Sequence, residues 1–256
     1  MIKPITFIGQ RTILFFENTG AVFIMLGRTL RYLAHLWSNR QLVADQMMEL
    51  GVRSIPLVLF VGVFAGAVAS VQTAYQLEGY ISYNYLGAAT SVAIFIELGP
   101  VLTALVAAGR VGASMAAEIG TMKVTEQIDA LESLAIDPIR YLAMPRILSG
   151  FVMIPVLTIF ADLIGVLGAY AVAYINLNLP PEIFFGSVKE FFSLLNVFSG
   201  LIKAFFFGGI TAIIGCYVGF STTGGAEGVG QATIKAFVLS SALILLNDYL
   251  LSMILF

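Results

Sequence analysis

Four ionisable side chains stand alone inside long apolar runs: Glu97, Asp162, Lys203 and Asp248. A charged group at the centre of a membrane helix costs roughly 2.5–3.5 kcal/mol on insertion scales, so each needs a partner or a wet cavity. Groups of this kind form ion pairs, relay protons or line a substrate path. Residue types argue against other chemistry. With one cysteine, Cys216, and one histidine, His35, the chain cannot build a disulfide framework or a cysteine metal site within itself. No nucleophile–base constellation is visible, so the expectation is a non-enzyme with no catalytic residue and no bound metal. A G-x-x-x-x-G-K-[ST] loop is also absent from the sequence, so this chain does not cradle nucleotide phosphates in a P-loop. A net charge of −2 gives no sign of a nucleic-acid partner.

The elements that must position these charges are membrane helices. Of 256 residues, 59% are hydrophobic and 11% charged, with a mean hydropathy of +0.95. Soluble domains carry roughly 25% charged residues, so the class is an all-α polytopic membrane protein. A spanning helix needs ~20 apolar residues. Ser54–Leu77 qualifies with no charge. Tyr85–Ala108, Ile147–Ile175, Asn196–Phe220 and Ala236–Phe256 qualify with one charge each, which gives five spans. Residues 5–37 mix Phe, Ile and Leu with Arg11, Glu17, Arg28 and Arg31 and lack the pattern of a cleavable signal. They read as an interfacial amphipathic helix, with Trp37 and the arginines at headgroup level, or as a re-entrant segment over 12–27.

Lys3, Arg11, Arg28, Arg31, Arg40, Arg53, Arg110, Lys123, Arg140, Arg146 and Lys235 fall on one side if the spans alternate. The other side offers Lys189 alone. Lys and Arg favour the cytoplasmic side. The expected topology has a cytoplasmic N-terminus, a cytoplasmic 109–146 linker and a periplasmic C-terminus. The whole chain, 1–256, reads as a single permease domain, with 1–53 as its interfacial region.

Lys203 and Asp248 each sit ~10–12 Å below the outer boundary by the 1.5 Å helical rise. Equal depth on adjacent antiparallel helices suggests a structural ion pair, with outward snorkelling of Lys203 as the alternative. Asp162 is followed by Gly165 and Gly168, and its role stays open between a neutral buried acid and a cavity wall. Glu97 lies ~18 Å deep. Gly99 and Pro100 follow it, and a proline leaves a helix carbonyl free where protein or water can satisfy it. A kinked cavity wall and a protonated glutamate bonded to a neighbouring helix both fit.

The linker begins with small residues at four-residue spacing, such as Ala108, Gly112 and Ala116, which suits close helix approach. In "TEQIDALESLAIDPIR", Thr125 is expected to cap a short helix, with Glu126 at the positive end of its dipole. Ile128, Leu131 and Leu134 would share one face, and Glu126, Asp129 and Glu132 an adjacent acidic one. Asp137 and Pro138 read as the start of a second short helix. An acidic stripe is either a solvated face or a surface for a basic groove of a cytoplasmic partner.

Together the blocks ELGP, AGR-GA, AEIG, TEQ and DP-R----PR, within Glu97–Arg146, resemble the signature of the MlaE-type permease family. These are membrane subunits of ABC transporters that move phospholipids with MCE-domain proteins. The resemblance implies a homodimer and a separate cytoplasmic ABC ATPase, so ATP would act through that partner and no cofactor would be bound here. It also implies an MCE-domain substrate-binding protein, a small cytoplasmic accessory protein, membrane phospholipid as cargo, and the bacterial inner membrane as location. By similarity, Glu97, Tyr80, Leu77, Gln72 and Val68 would line an outward-facing lipid cavity. Thr125, Glu126, Asp129, Leu131, Glu132, Asp137 and Arg140 would form a coupling helix that seats in the ATPase. Ile96 stands where better-known members carry arginine, which removes one basic headgroup contact. The competing reading from the residues is a proton-coupled secondary transporter using Glu97 and Asp162. The lack of a detectable inverted repeat counts against it.

Overall fold

The computed structural model describes residues 3–35, 37 and 39–255. Side chains of residues 3–9, Arg11, Leu14, Phe15 and His35 lie outside this description, so the expected headgroup placement of Arg11 does too. No strand occurs among the described residues. The helices are α1 (Lys3–Tyr32), α2 (Arg40–Leu50), α3 (Ile55–Leu77), α4 (Leu86–Ala93), α5 (Gly99–Ala107), α6 (Ala113–Val124), α7 (Gln127–Ser133), α8 (Met144–Leu177), α9 (Pro181–Glu190), α10 (Leu194–Phe220) and α11 (Gly225–Leu255). Single π-helical turns at Ile94–Leu98 and Ala108–Gly112 join α4, α5 and α6 into one long rod. A third, Ile139–Ala143, leads into α8.

Five helical stretches among the described residues are long and apolar enough to cross a membrane: Arg40–Leu77, Tyr83–Val124, Ile139–Leu177, Leu194–Phe220 and Gly225–Leu255. They contain the five spans expected from the apolar runs, except for Phe256, which lies outside the described residues, and each helix outruns its apolar segment at one end or both. The Tyr83–Val124 rod takes in the first half of the linker. Packing explains this, because Gly215 lies against the Gly112 backbone and Gly219 against Ile119, so the glycines of α10 let it approach this part of the rod closely.

The long α8 holds the bundle together. Gly66 of α3 lies so close to the Gly165 carbonyl that an added Cβ would fall 1.8 Å from it. Gly150 of α8 and Gly208 of α10 meet in the same way, each facing the other's carbonyl. Small residues let backbones approach where the surrounding lipid supplies no hydrophobic drive between helices. One apolar cluster closes the end that carries the linker, with Met25, Leu50, Met115, Ile128, Leu142 and Cys216 buried together. Another closes the opposite end around Leu86, Val166 and Phe184. There α9 folds back between α8 and α10. Its Pro181 suits a first helical turn. Its Ser187 Oγ accepts from the Ala88 N–H at 3.2 Å.

Candidate functional site

Pro100 has no N–H, so a carbonyl one turn back loses its partner. The chain absorbs the mismatch as the π turn Ile94–Leu98, in which the Gly99 N–H donates to the Ile94 carbonyl. Such turns re-aim side chains and recur at functional sites. Two glycines make this one possible. A Cβ on Gly99 would stand 1.7 Å from Asp162 Oδ1 of α8, and a Cβ on Gly200 of α10 would stand 2.0 Å from the Phe95 carbonyl. The bulge is therefore wedged between α8 and α10, with Glu97 on it.

Glu97 does not stand alone. Lys203 of α10, completely buried, donates from Nζ to Glu97 Oε1 at 2.5 Å and to Ser252 Oγ at 2.8 Å. Asp248 Oδ1 lies 3.0 Å from the same Nζ, as an ion pair rather than an aligned hydrogen bond. Ser252 Oγ closes the cluster with a 3.2 Å bond to Glu97 Oε1. One ammonium thus ties three spanning helices. The sequence reading places Lys203 beside Asp248 by depth but treats Glu97 apart; the fold joins all three. Ser252 was missed, although its position one turn after Asp248 sets it on the same helix face.

Asp162 lies on the far side of Gly99, 6% exposed, with Oδ1 lacking a hydrogen-bond partner among the described residues. It shares no hydrogen bond with Glu97, so the two carboxylates expected of a relay are not linked directly.

Beside the bulge, α3 and α5 border an apolar groove of about 550 Å³, lined by Phe60, Phe64, Val68, Gln72, Leu98 and Leu102 among others. Val68 and Gln72, four residues apart, share its face. Leu98 belongs to the same π turn as Glu97. Leu77 is not among the residues lining this groove and packs against the cluster around Leu86 and Phe184. Five residues beyond Gln72, it points roughly 140° away around the helix at 100° per residue. Tyr80 follows Gly79, whose φ is +79°, and stands 89% exposed in the turn after α3 rather than on the groove.

At the other end of the rod the linker differs from expectation in two ways. Thr125 is not an N-cap; it ends α6, and its Oγ1 donates to the Thr121 carbonyl at 2.7 Å. Glu126, in the left-handed conformation at φ +60°, makes the reversal into α7. The second short helix is likewise no separate element, since Ile139 continues into α8. Asp137 caps that entry: its Oδ1 accepts from the Ile139 N–H at 2.8 Å.

Within α7, Ile128 is buried and Leu131 packs behind it, while Leu134 at its end is 71% exposed. Glu126, Asp129 and Glu132 face outward, and Asp129 pairs with Lys123 at 3.0 Å. Arg140 is half-buried in the π turn.

The N-terminal helix locks onto this region. Tyr32 Oη donates to Asp137 Oδ2 at 2.5 Å, which raises the phenol's pKa above its ordinary value. Tyr217 Oη donates to Asn18 Oδ1 at 2.8 Å. Met25 is buried beside Ile128. Nothing in the spacing of residues 5–37 signals these contacts, because they depend on how α1 crosses the linker.

A family profile described as Permease MlaE matches residues 43–254. A probable ABC transporter permease protein of Rickettsia typhi is 40% identical over 253 residues, covering 97% of this chain and 96% of its own. One of Synechocystis is 40% identical over 243 residues, covering 95% and 92%. The intermembrane phospholipid transport system permease protein MlaE of Haemophilus influenzae is 34% identical over 257 residues, covering 100% and 98%.

Proposed function

This chain belongs to the MlaE permease family, and from that premise we propose that it carries phospholipid through a bacterial inner membrane as one half of a homodimer. It is a multi-pass transmembrane permease of the ABC type, and not itself an enzyme. ATP use falls to a partner ATPase. The family name suggests an MCE-domain protein as a second partner, with a small accessory protein beside the ATPase. The N-terminus and the 109–146 linker face the cytoplasm, and 1–256 works as a single permease domain.

The continuity of one helical rod carries this reading. Tyr83–Val124 bears Glu97 and groove residue Leu98 within the membrane and ends at the reversal into the exposed, acidic α7. A push on α7 would reach the bulge without crossing a flexible joint. Lipid tails lie along Val68, Leu102 and their neighbours, and the Lys203 cluster keeps Glu97 fixed at the polar end. The acidic face of α7, with Leu134 beside it, seats in the ATPase.

The test is reconstitution of the chain with its partner ATPase, in vesicles holding fluorescent phospholipid. Movement that requires ATP, and is lost in Glu126→Lys/Asp129→Lys together with the ATPase on purification, supports the reading. Movement that ignores ATP and follows a pH gradient overturns it in favour of secondary transport.

A further inference from the structure

A second polar site lies at the linker end, between α2 and the rod. Gln46, Glu49, Arg110, Ser114 and Glu118 border a pocket of about 50 Å³. That exceeds the ~10–15 Å³ one water needs. Arg110 sits in the π turn Ala108–Gly112, and its Nη1 donates to Ser54 Oγ. It makes no ion pair among the described residues, and most of its five donors are free.

The carboxylates of the pocket are already committed. Glu118 Oε2 accepts from Arg146 Nη2 at 2.8 Å, and its Oε1 from Ser114 Oγ at 3.2 Å. Glu49 pairs with Arg53. Two neutral pairs plus Arg110 leave one positive charge unanswered. Ser54 stands ~35 Å from Leu77, and Arg110 ~38 Å from Tyr85, by the helical rise. Both distances exceed the ~30 Å hydrocarbon core, so the pocket lies at the headgroup level of one leaflet. A guanidinium fork matches a phosphate's oxygens.

We propose that the Arg110 pocket seats the phosphodiester of a phospholipid headgroup, with Arg110 as the charged anchor and Gln46 as a second donor. That the ligand is a membrane lipid rests on the transporter reading; the anion chemistry does not.

The test uses the purified full-length chain in detergent, followed by native mass spectrometry during titration with dioleoyl phosphatidylglycerol. The wild type should retain one lipid at a concentration roughly tenfold below that needed by Arg110→Gln, the scale of a lost charge-assisted hydrogen bond. Arg110→Lys and Gln46→Ala should fall between, and Arg40→Gln, remote on α2, should match the wild type. Dioleoylglycerol, which has no phosphate, should be retained equally by the wild type and Arg110→Gln, because only the apolar groove can hold it. Equal retention by wild type, Arg110→Lys and Gln46→Ala overturns the proposal, even if Arg110→Gln fails to fold. Displacement of the lipid by millimolar inorganic phosphate assigns the pocket to a free anion and overturns the headgroup assignment. Binding is read without ATP or a partner, so its failure leaves the transporter reading standing, and loss of ATP-driven transport leaves this one.

Discussion

Gly99 and Asp162 meet across the α5–α8 contact so tightly that the carboxyl Oδ1 fills the space a Cβ on Gly99 would need, 1.7 Å away. The π bulge beside Glu97 therefore depends on a missing side chain as much as on the proline. Pro100 removes a backbone donor and loosens the helix. Gly99 and Gly200 then let α8 and α10 close on the loosened turn.

Adding one methyl should damage this joint. Gly99→Ala and Gly200→Ala are each expected to destabilise the protein by about 1–3 kcal/mol, the usual cost of overpacking. Gly20→Ala, which meets nothing within 4 Å, should be neutral. Thermal unfolding of the purified protein in detergent checks all three.

Lys203 holds two carboxylates from two other helices. Lys203 is fully buried while Glu97 is 42% and Asp248 20% exposed, so removing the ammonium should cost about 3 kcal/mol, the lower end for breaking a buried pair. Lys203→Met should lose stability on this scale, and Lys203→Met/Glu97→Gln/Asp248→Asn should recover most of it. If the single and triple variants melt alike, the cluster is not what joins these helices.

Leu134 is 71% exposed at the end of α7. Leu134→Asp should leave the melting temperature of the isolated chain nearly unchanged, because most of the side chain is exposed. The same variant should release the partner ATPase during co-purification. Retention of the ATPase would place the docking surface elsewhere.

Tyr32 titrates above its ordinary value because its hydroxyl donates to Asp137. A raised folded-state pKa means that the contact supports folding fully below the unfolded value. The support is lost as pH rises through the folded value. Ultraviolet titration should show one tyrosine ionising late in the wild type, absent in Tyr32→Phe and shifted down in Asp137→Asn. In Tyr32→Phe, α1 amides should lose protection at neutral pH, and that protection, measured against the intrinsic base-catalysed exchange rate, should no longer fall as pH turns alkaline.

Sequence alone determined the class and the spans. Five apolar runs of sufficient length leave no alternative for backbone groups in lipid but helices, and these runs lie within the five long helices. It also determined that Lys203 and Asp248 stand at one depth, since the helical rise is constant. Rotation about each helix axis and the choice of neighbour come from packing, which local pattern does not encode. Only the tertiary structure decided that Glu97 turns to Lys203, that Asp162 lies against Gly99, and that Leu77 leaves the groove. It likewise showed Thr125 ending one helix rather than starting the next, because a residue that suits a cap will also bond back to the carbonyl four residues earlier. Arg110 and Ser54 are 56 positions apart in the chain. They meet because the folded bundle sets the start of α3 beside the rod, a closeness that no local pattern encodes.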